Sequence, residues 1–259
     1  MTRVALLFLL FILASPNTRA SDSPYVIKGK LDDIRSGIIY LNIYGMEEKQ
    51  ETTKIFDGTF MFKGFIQQPS QAILSIRNKP DYLMFYLEPG TINISGKGNS
   101  LKDLIVSNSP LNDEDKMLKQ RLESITKWEE ANAKLHEEAA KTKNKIVLDS
   151  LDEEDFKVLN AKRKIIASFV KDYPHSLRSA MAIADNYMYY AEADEVESLY
   201  NLLDDNVKSK FKGKEIKKMI EVYKTVAVGM TAPDITQPTP QGKLMSLSSF
   251  KGKYVLLDF

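Results

Sequence analysis

Two histidines and no cysteine limit the chemistry open to this 259-residue chain. Without cysteine, the chain itself has no thiol nucleophile, disulfide, zinc thiolate or iron–sulfur ligand. His136 begins the run His-Glu-Glu-Ala-Ala, but Ala140 stands where a zinc-protease helix carries its second histidine. His175 follows Pro174 and is interpreted as a turn or capping residue. The sequence therefore predicts no catalytic, cofactor-binding or metal-ligating residue, and no cofactor.

Acidic pairs could suggest a glycosidase, which needs two carboxylates. The pairs at 129–130, 137–138 and 152–155 lie in polar helical patterns or at helix starts, where negative charge suits the helix dipole. The Gly-Lys-Gly step at 96–98 lacks the strand-to-helix context of a phosphate loop. We interpret these residues as surface and turn residues.

Two other clusters have a structural and a functional interpretation. Tyr187, Tyr189 and Tyr190 could line a peptide groove, but packing between helices is the favoured interpretation. A lysine cluster is interpreted as a solvated helix face rather than an anion site. Its members are Lys208, Lys210, Lys212, Lys214, Lys217 and Lys218.

The overall charge is balanced. Lysine and arginine total 36 against 35 acidic residues, so net charge gives no reason to expect nucleic acid as a partner. With 43% apolar and 27% charged residues, the composition is that of a folded globular chain.

Residues 1–20 have the pattern of an export signal. Arg3 precedes an apolar run at 4–14, and Pro16 breaks that run before Ala20. The run is shorter than the roughly 20 residues of a membrane-spanning helix, so an uncleaved anchor is the weaker interpretation. We expect cleavage after Ala20 and an exported protein of the periplasm or cell envelope, with no membrane attachment after cleavage.

Residues 21–109 are predicted to form an antiparallel β domain. Short runs rich in Ile, Tyr, Phe and Thr alternate with Gly, Pro, Asn and Asp. The expected strands are 25–31, 37–44, 51–56, 59–65, 71–77, 82–87 and 91–96. Asp57-Gly58 predicts a type I′ turn that pairs the third strand with the fourth. Three aromatic residues are interpreted as core residues first and as a ligand platform second: Phe60, Phe62 and Phe65.

Residues 110–228 change to a helical period. Apolar residues recur at three- and four-residue steps from Leu118 onward. Ser150 with Glu153 predicts a capping box at the start of a helix that buries Phe156 and ends before Pro174. Further helix starts are expected at Ser176 and Asp194.

Residues 229–259 change pattern again. Gly229-Met-Thr-Ala-Pro-Asp234 is followed by Gly242-Lys-Leu-Met-Ser-Leu-Ser-Ser-Phe-Lys-Gly-Lys-Tyr-Val-Leu-Leu-Asp-Phe259. The closing apolar run is typical of a strand buried on both faces of a parallel sheet. So short a region cannot form a stable domain alone, so we expect an incomplete α/β domain.

This segment resembles the opening of the thioredoxin-like domain of the AhpC/TSA and redoxin superfamily, of the ResA and TlpA type. In that family the matching stretch leads directly into a Trp-Cys-x-x-Cys motif. Ile235 and Ser249 replace a usual Phe and a common Asp. Because the chain ends at Phe259, the resemblance implies the N-terminal portion of a periplasmic thiol–disulfide oxidoreductase of redox homeostasis, inactive alone and possessing no redox cysteine.

The β region resembles the domain of unknown function that precedes the redox domain, with a helical spacer, in exported oxidoreductases of Gram-negative bacteria. The residues that carry this resemblance are Phe60-Met-Phe-Lys-Gly64, Leu87-Glu-Pro-Gly90 and Ile92-Asn-Ile-Ser-Gly96. Together the two resemblances imply an α+β multi-domain protein. Its expected parts are a signal (1–20), a β domain (21–109), a helical region (110–228) and an incomplete thioredoxin-like domain (229–259).

A second functional class stays open: a non-enzymatic envelope module that recognises a protein, peptide or glycan. Under either class, an envelope protein or peptide is the expected partner. The oligomeric state is left open, although an unpaired strand at 254–259 would favour association.

Overall fold

A computed structural model describes residues 22–45, 48–187 and 192–257, so the predicted export signal lies outside the described residues. The chain divides into two units, Met1–Asn112 and Asp113–Phe259. Strands build the first unit and helices dominate the second, which confirms the predicted α+β multi-domain class.

In the described part of the first unit there are eight strands and one short 3-10 helix, Leu101–Asp103. The strands are β1 (Ser23–Leu31), β2 (Ser36–Tyr44), β3 (Lys49–Phe56), β4 (Thr59–Ile66), β5 (Ser70–Ile76), β6 (Tyr82–Leu87), β7 (Gly90–Gly96) and β8 (Ile105–Ser107). All the predicted strands are present, with ends shifted by no more than two residues. The short strand β8 has no counterpart among the predictions.

The strands follow the order β6-β5-β2-β3-β4-β1-β7-β8. β3 and β4 pair only where Phe56 lies opposite Thr59. Beyond that point β3 is hydrogen-bonded to β2, and β4 is hydrogen-bonded to β1. The sheet therefore folds into two four-stranded layers that share one apolar core. The other strand pairs of this sheet are antiparallel, as predicted, but β1 and β7 are parallel, a pairing that the sequence did not predict. The chain between them, β2 to β6, acts as the crossover that a parallel pair requires.

The core of this unit comes from the period-two alternation of its strands. Ile27, Leu41 and Ile94 are among its fully buried residues. Phe60 and Phe62 also join it, as predicted, but Phe65 is 64% exposed, so its predicted core position is wrong. Phe65 lies an odd number of residues from Phe60 and Phe62, which places it on the opposite face of β4.

The turn between β3 and β4 confirms the predicted hairpin. Asp57 and Gly58 have φ angles of +43° and +77°, as a type I′ turn requires. The predicted pairing of the two strands is confirmed only next to the turn, since each strand then enters a different layer.

As far as the structure describes it, the second unit consists mostly of six helices. They are α1 (Pro110–Thr142), which begins in the first unit, α2 (Lys145–Asp172), α3 (Leu177–Asn186), α4 (Ala193–Leu202), α5 (Asp205–Ser209) and α6 (Phe211–Val226). Their apolar faces meet in one cluster that includes Leu118, Phe169, Ile183, Val196 and Ile216. Tyr187 is buried with them, as predicted, while Tyr189 and Tyr190 lie outside the described residues.

The helix starts show which capping predictions are right. Ser176 caps α3 by accepting a hydrogen bond from the Arg178 N–H at 3.0 Å. The predicted start at Ser150 is wrong, because Asn144 caps α2 and leaves Ser150 inside the helix. Phe156, predicted to be buried, is 58% exposed.

The remaining elements lie near the C-terminus. β9 (Thr236–Pro238) and β10 (Leu244–Ser246) form an antiparallel hairpin, and a 3-10 helix, Leu247–Phe250, follows. Within the described residues, no helix combines the length and the apolar content needed to cross a membrane.

Candidate functional site

Hydrogen bonds at the open end of the β9–β10 hairpin hold the C-terminal segment, residues 229–257, together. The Asp234 carboxylate accepts hydrogen bonds from the Ser248 N–H and Oγ, both at 2.8 Å. These two bonds lower the pKa of Asp234 below its ordinary value. The Leu247 N–H also donates to the Ile235 carbonyl. The chain entering β9 is thereby tied to the 3-10 helix that follows β10.

The apolar run at 254–257 follows this fastened hairpin. Val255 and Leu257 line an apolar groove of about 240 Å³ with Met245 and Phe250, whereas Leu256 is 94% exposed. No strand within the described ranges pairs with this run, so the predicted strand, buried on both faces, is absent here. Such a strand needs neighbours on both edges, and the described residues provide none; Asp258 and Phe259 lie outside those ranges.

The polar groups of the C-terminal segment do not form a reaction centre. Asp234 and Ser248 bind each other, and the Thr236 and Ser246 hydroxyls share a hydrogen bond of 2.8 Å. With no cysteine in the chain, the segment can position a backbone but supplies no thiol for a redox reaction.

The helices bring together a cluster that the sequence analysis treated as separate surface residues. The His136 Nε2 lies 2.8 Å from an Asp155 oxygen, and the buried Asn132 donates to the other oxygen of that carboxylate. Asp152 completes the cluster, with one ligand atom of each acid and of the histidine within 4.8 Å of one another. A divalent cation accepts such ligands, although these groups also bind one another. The spacing of these residues in the sequence could have indicated the cluster, because Asn132 and His136 share a face of α1 and both acids share a face of α2.

The other singled-out residues have structural roles. The His175 side chain is exposed after the turn that ends α2, with its Nε2 3.9 Å from a Glu114 oxygen. In the lysine cluster, Lys208 lies over the Tyr200 ring and Lys212 pairs with Glu215 at 2.8 Å. These positions agree with the turn and the solvated helix face expected from the sequence.

The β domain has an open end between its two layers, where β3 and β4 diverge. A cleft of about 390 Å³ lies there, lined by residues that include Ile43, Lys49 and Gly64. Close to Gly64 the buried Tyr25 hydroxyl leaves no room for a Cβ atom. Burial raises the pKa of Tyr25 above its ordinary value, and the Glu51 carboxylate, which pairs with Lys49, raises it further.

The outer faces of the two layers differ in charge. The layer β4-β1-β7-β8 exposes Lys28, Lys30 and Lys63, and we call its outward surface the basic face. No acidic residue occupies an outward position on these four strands, and none of the three lysines forms an ion pair with a residue that the structure describes. The near-zero net charge concealed this surface, although lysines at alternate strand positions could have indicated it.

The first turn of α1 is attached to the β domain. The Asn112 side chain exchanges hydrogen bonds with the Tyr86 backbone, accepting from its N–H at 2.9 Å and donating to its carbonyl at 2.6 Å. Glu88 also accepts from the Ser109 hydroxyl and from the Leu111 N–H. The β domain therefore extends past β8 into the start of the helix.

Comparison with known proteins agrees with this extent. Residues 25–114 match the family model described as "Domain of unknown function (DUF4369)". Neither the curated proteins nor the solved structures include a match to this chain. The resemblance of the β region to a domain of unknown function is thereby confirmed, and residues 25–114 are an all-β DUF4369 domain at the N-terminal side of the chain.

Proposed function

We propose that this chain is the N-terminal portion of an exported thiol–disulfide oxidoreductase that maintains thiol redox balance in the periplasm or envelope. In this proposal, the DUF4369 domain and the helices precede a thioredoxin-like domain, and residues 229–257 are the entry to that domain. The chain itself is catalytically silent.

The observation that carries the proposal is the apolar run at 254–257. It follows a hairpin and a 3-10 helix, and its side chains remain exposed or line an open apolar groove. Exposed apolar residues at adjacent positions are costly in water and normally mark a surface that another element covers. The first strand of a thioredoxin-like sheet, covered on both faces by helices, would use both sides of this run.

The redox step requires groups that these residues do not contain. Disulfide reduction begins when a thiolate attacks one sulfur of the substrate disulfide and displaces the other. A second thiol then resolves the mixed disulfide, so that the enzyme dithiol is oxidised as the substrate is reduced. The chain has no cysteine, so in this proposal both cysteines come from sequence outside the 259 residues.

Two measurements test the proposal. In an insulin-reduction assay, the 259-residue chain is expected to give the buffer rate, and turnover above that rate would show that the chain is not silent. Mass spectrometry of the protein purified from its own cells is expected to find a longer polypeptide with two closely spaced cysteines. A natural polypeptide without them would exclude the oxidoreductase.

An envelope binding module without enzymatic activity is the second candidate, and the basic face favours it. Affinity capture from an envelope extract with the immobilised chain tests this candidate. Recovery of a partner that the chain retains at moderate salt would support it, and recovery of none above background would count against it.

A further inference from the structure

We infer that the basic face of the β domain docks an extended acidic segment of a partner protein. The inference concerns the DUF4369 domain alone and does not depend on the proposed redox role. It rests on the arrangement of three lysines, on their lack of ion-pair partners and on the residues between them.

The strand register fixes the lysine positions. Lys28 and Lys30 project from the same side of β1, roughly 6.6 Å apart along the strand. Lys63 lies opposite Val26, and Lys28 lies opposite Met61, so Lys63 and Lys28 are diagonal neighbours across β1 and β4. The three ammonium groups therefore follow a stripe across the face. An extended peptide with acidic residues at alternate positions has the same repeat.

The charge on this stripe is not neutralised within the described part of the chain. Some exposed lysines on the helices have an acidic partner four residues away, as Lys127 has Glu123 and Lys141 has Glu137, both pairs at 2.6 Å. On the basic face, the neighbouring outward positions hold Thr91, Asn93 and Ser95, which are neutral. A surface of one charge sign attracts a partner of the opposite sign and raises its association rate.

The uncharged residues on the face favour a peptide over a lipid bilayer. Phe65 and Met61 are exposed on β4 and offer apolar contacts, with Lys63 between them. The half-buried Thr91, Asn93 and Ser95 of β7 offer hydrogen-bonding groups over the middle of the face. A bilayer surface selects a continuous apolar face, which this alternation of polar and apolar residues does not provide. An acidic segment that also carries an aromatic residue can use both kinds of contact.

The test uses the full chain and a fluorescein-labelled peptide of about ten residues, long enough to cross the face. The peptide has glutamate at alternate positions, threonine between them and one phenylalanine near an end. Fluorescence anisotropy at about 150 mM salt, where long-range attraction is screened, is expected to show saturable binding. The peptide in which glutamine replaces every glutamate is expected not to bind.

Matched variants locate the site. The triple variant Lys28→Gln, Lys30→Gln, Lys63→Gln is expected to weaken peptide binding by about tenfold or more. The control triple variant Lys54→Gln, Lys134→Gln, Lys145→Gln removes the same charge from exposed lysines elsewhere, and its affinity is expected to stay within about twofold. Phe65→Ser is expected to weaken binding while leaving its salt dependence unchanged. Far-UV circular dichroism and thermal unfolding establish that each variant is folded.

Several outcomes would overturn the inference. One is no saturable binding of the acidic peptide, and another is an equal loss of affinity in the two triple variants. A third outcome is that the peptide does not bind, but the chain binds vesicles with anionic lipid or binds polygalacturonate, and the first triple variant loses that binding. This outcome would assign the face to a membrane or to a glycan instead.

Discussion

The β domain and the C-terminal segment both contain apolar strand-like runs next to tight hairpins. The runs are buried in the β domain and exposed in the C-terminal segment. In the β domain, Leu41 and Ile94 are fully buried between two layers. In the C-terminal segment, Leu256 is almost wholly exposed, and Val255 lines an open groove.

This difference shows what an apolar run needs in order to become a core strand. The runs of β2 and β7 have partners along their edges and a second layer over one face. The run at 254–257 has neither among the described residues. Burial of an apolar run is therefore favourable, but it takes place only where neighbouring elements pack against the run.

The largest expected difference in stability is between two Leu→Ala variants, one in each region. Leu41→Ala leaves a cavity in the β core and should lower the free energy of unfolding by about 2–5 kcal/mol. Leu256→Ala removes an exposed side chain and should change it by no more than about 0.5 kcal/mol. Urea denaturation of the full chain measures both, and equal effects would break the comparison.

Close packing in the β core can be tested with two glycines. A Cβ atom on Gly29 would lie 1.9 Å from the buried Phe60 ring, whereas one on Gly37 would have only ordinary contacts, the nearest at 3.5 Å. Gly29→Ala should therefore cost about 1–3 kcal/mol of stability because Phe60 must move. Gly37→Ala is the matched control and should cost clearly less. A similar loss in both variants would show that Phe60 is not held tightly.

Alkaline pH should affect a buried tyrosine and an exposed one differently. Burial raises the pKa of Tyr25 above its ordinary value of 10.0, so the folded state favours the neutral phenol. This contribution is complete below pH 10 and is lost as pH rises towards the folded-state pKa, by about 1.4 kcal/mol per pH unit.

The measurement compares two phenylalanine variants. In urea denaturation between about pH 9 and 11, which brackets the ordinary tyrosine pKa, Tyr25→Phe should remove a large part of the pH dependence. Tyr187, whose pKa burial also raises, keeps the rest. Tyr254→Phe, in the exposed run, should leave it unchanged. The opposite pattern would mean that Tyr25 ionises freely in the folded protein.

The smallest expected change in stability comes from deleting residues 229–259. The thermal unfolding of the remaining chain should be unaffected, because the deleted apolar run contributes to neither apolar core. Self-association should decrease, since exposed apolar runs promote it. Size-exclusion chromatography over a range of concentrations checks this, and unchanged or stronger association would contradict it.

Local patterns predicted much of the fold. The strands of the β domain could be identified because alternation and turn residues act over a few neighbouring positions. Asp57 and Gly58 were similarly informative, because a type I′ turn depends on their own backbone angles.

The errors arose where the structure depends on residues far away in the sequence or on residues that compete for the same role. The parallel pairing of β1 with β7 depends on contacts across most of the domain, which no local pattern encodes. Ser150 has the spacing of a capping box, but Asn144 starts the helix earlier. The cluster around His136 and the basic face both combine side chains from separate elements, so only the register of the strands and the packing of α1 on α2 could reveal them.

The position of β1 has a consequence for how the β domain acquires its structure. β1 comes first in the described chain, yet it is hydrogen-bonded on one side to β4 and on the other to β7. Its place in the layer is therefore completed only after almost the entire domain is available. Contacts between residues so far apart carry a large loop-closure cost and slow the folding of small domains. A truncation that removes β7 should consequently leave β1 with an unprotected edge, the kind of edge that recruits other chains.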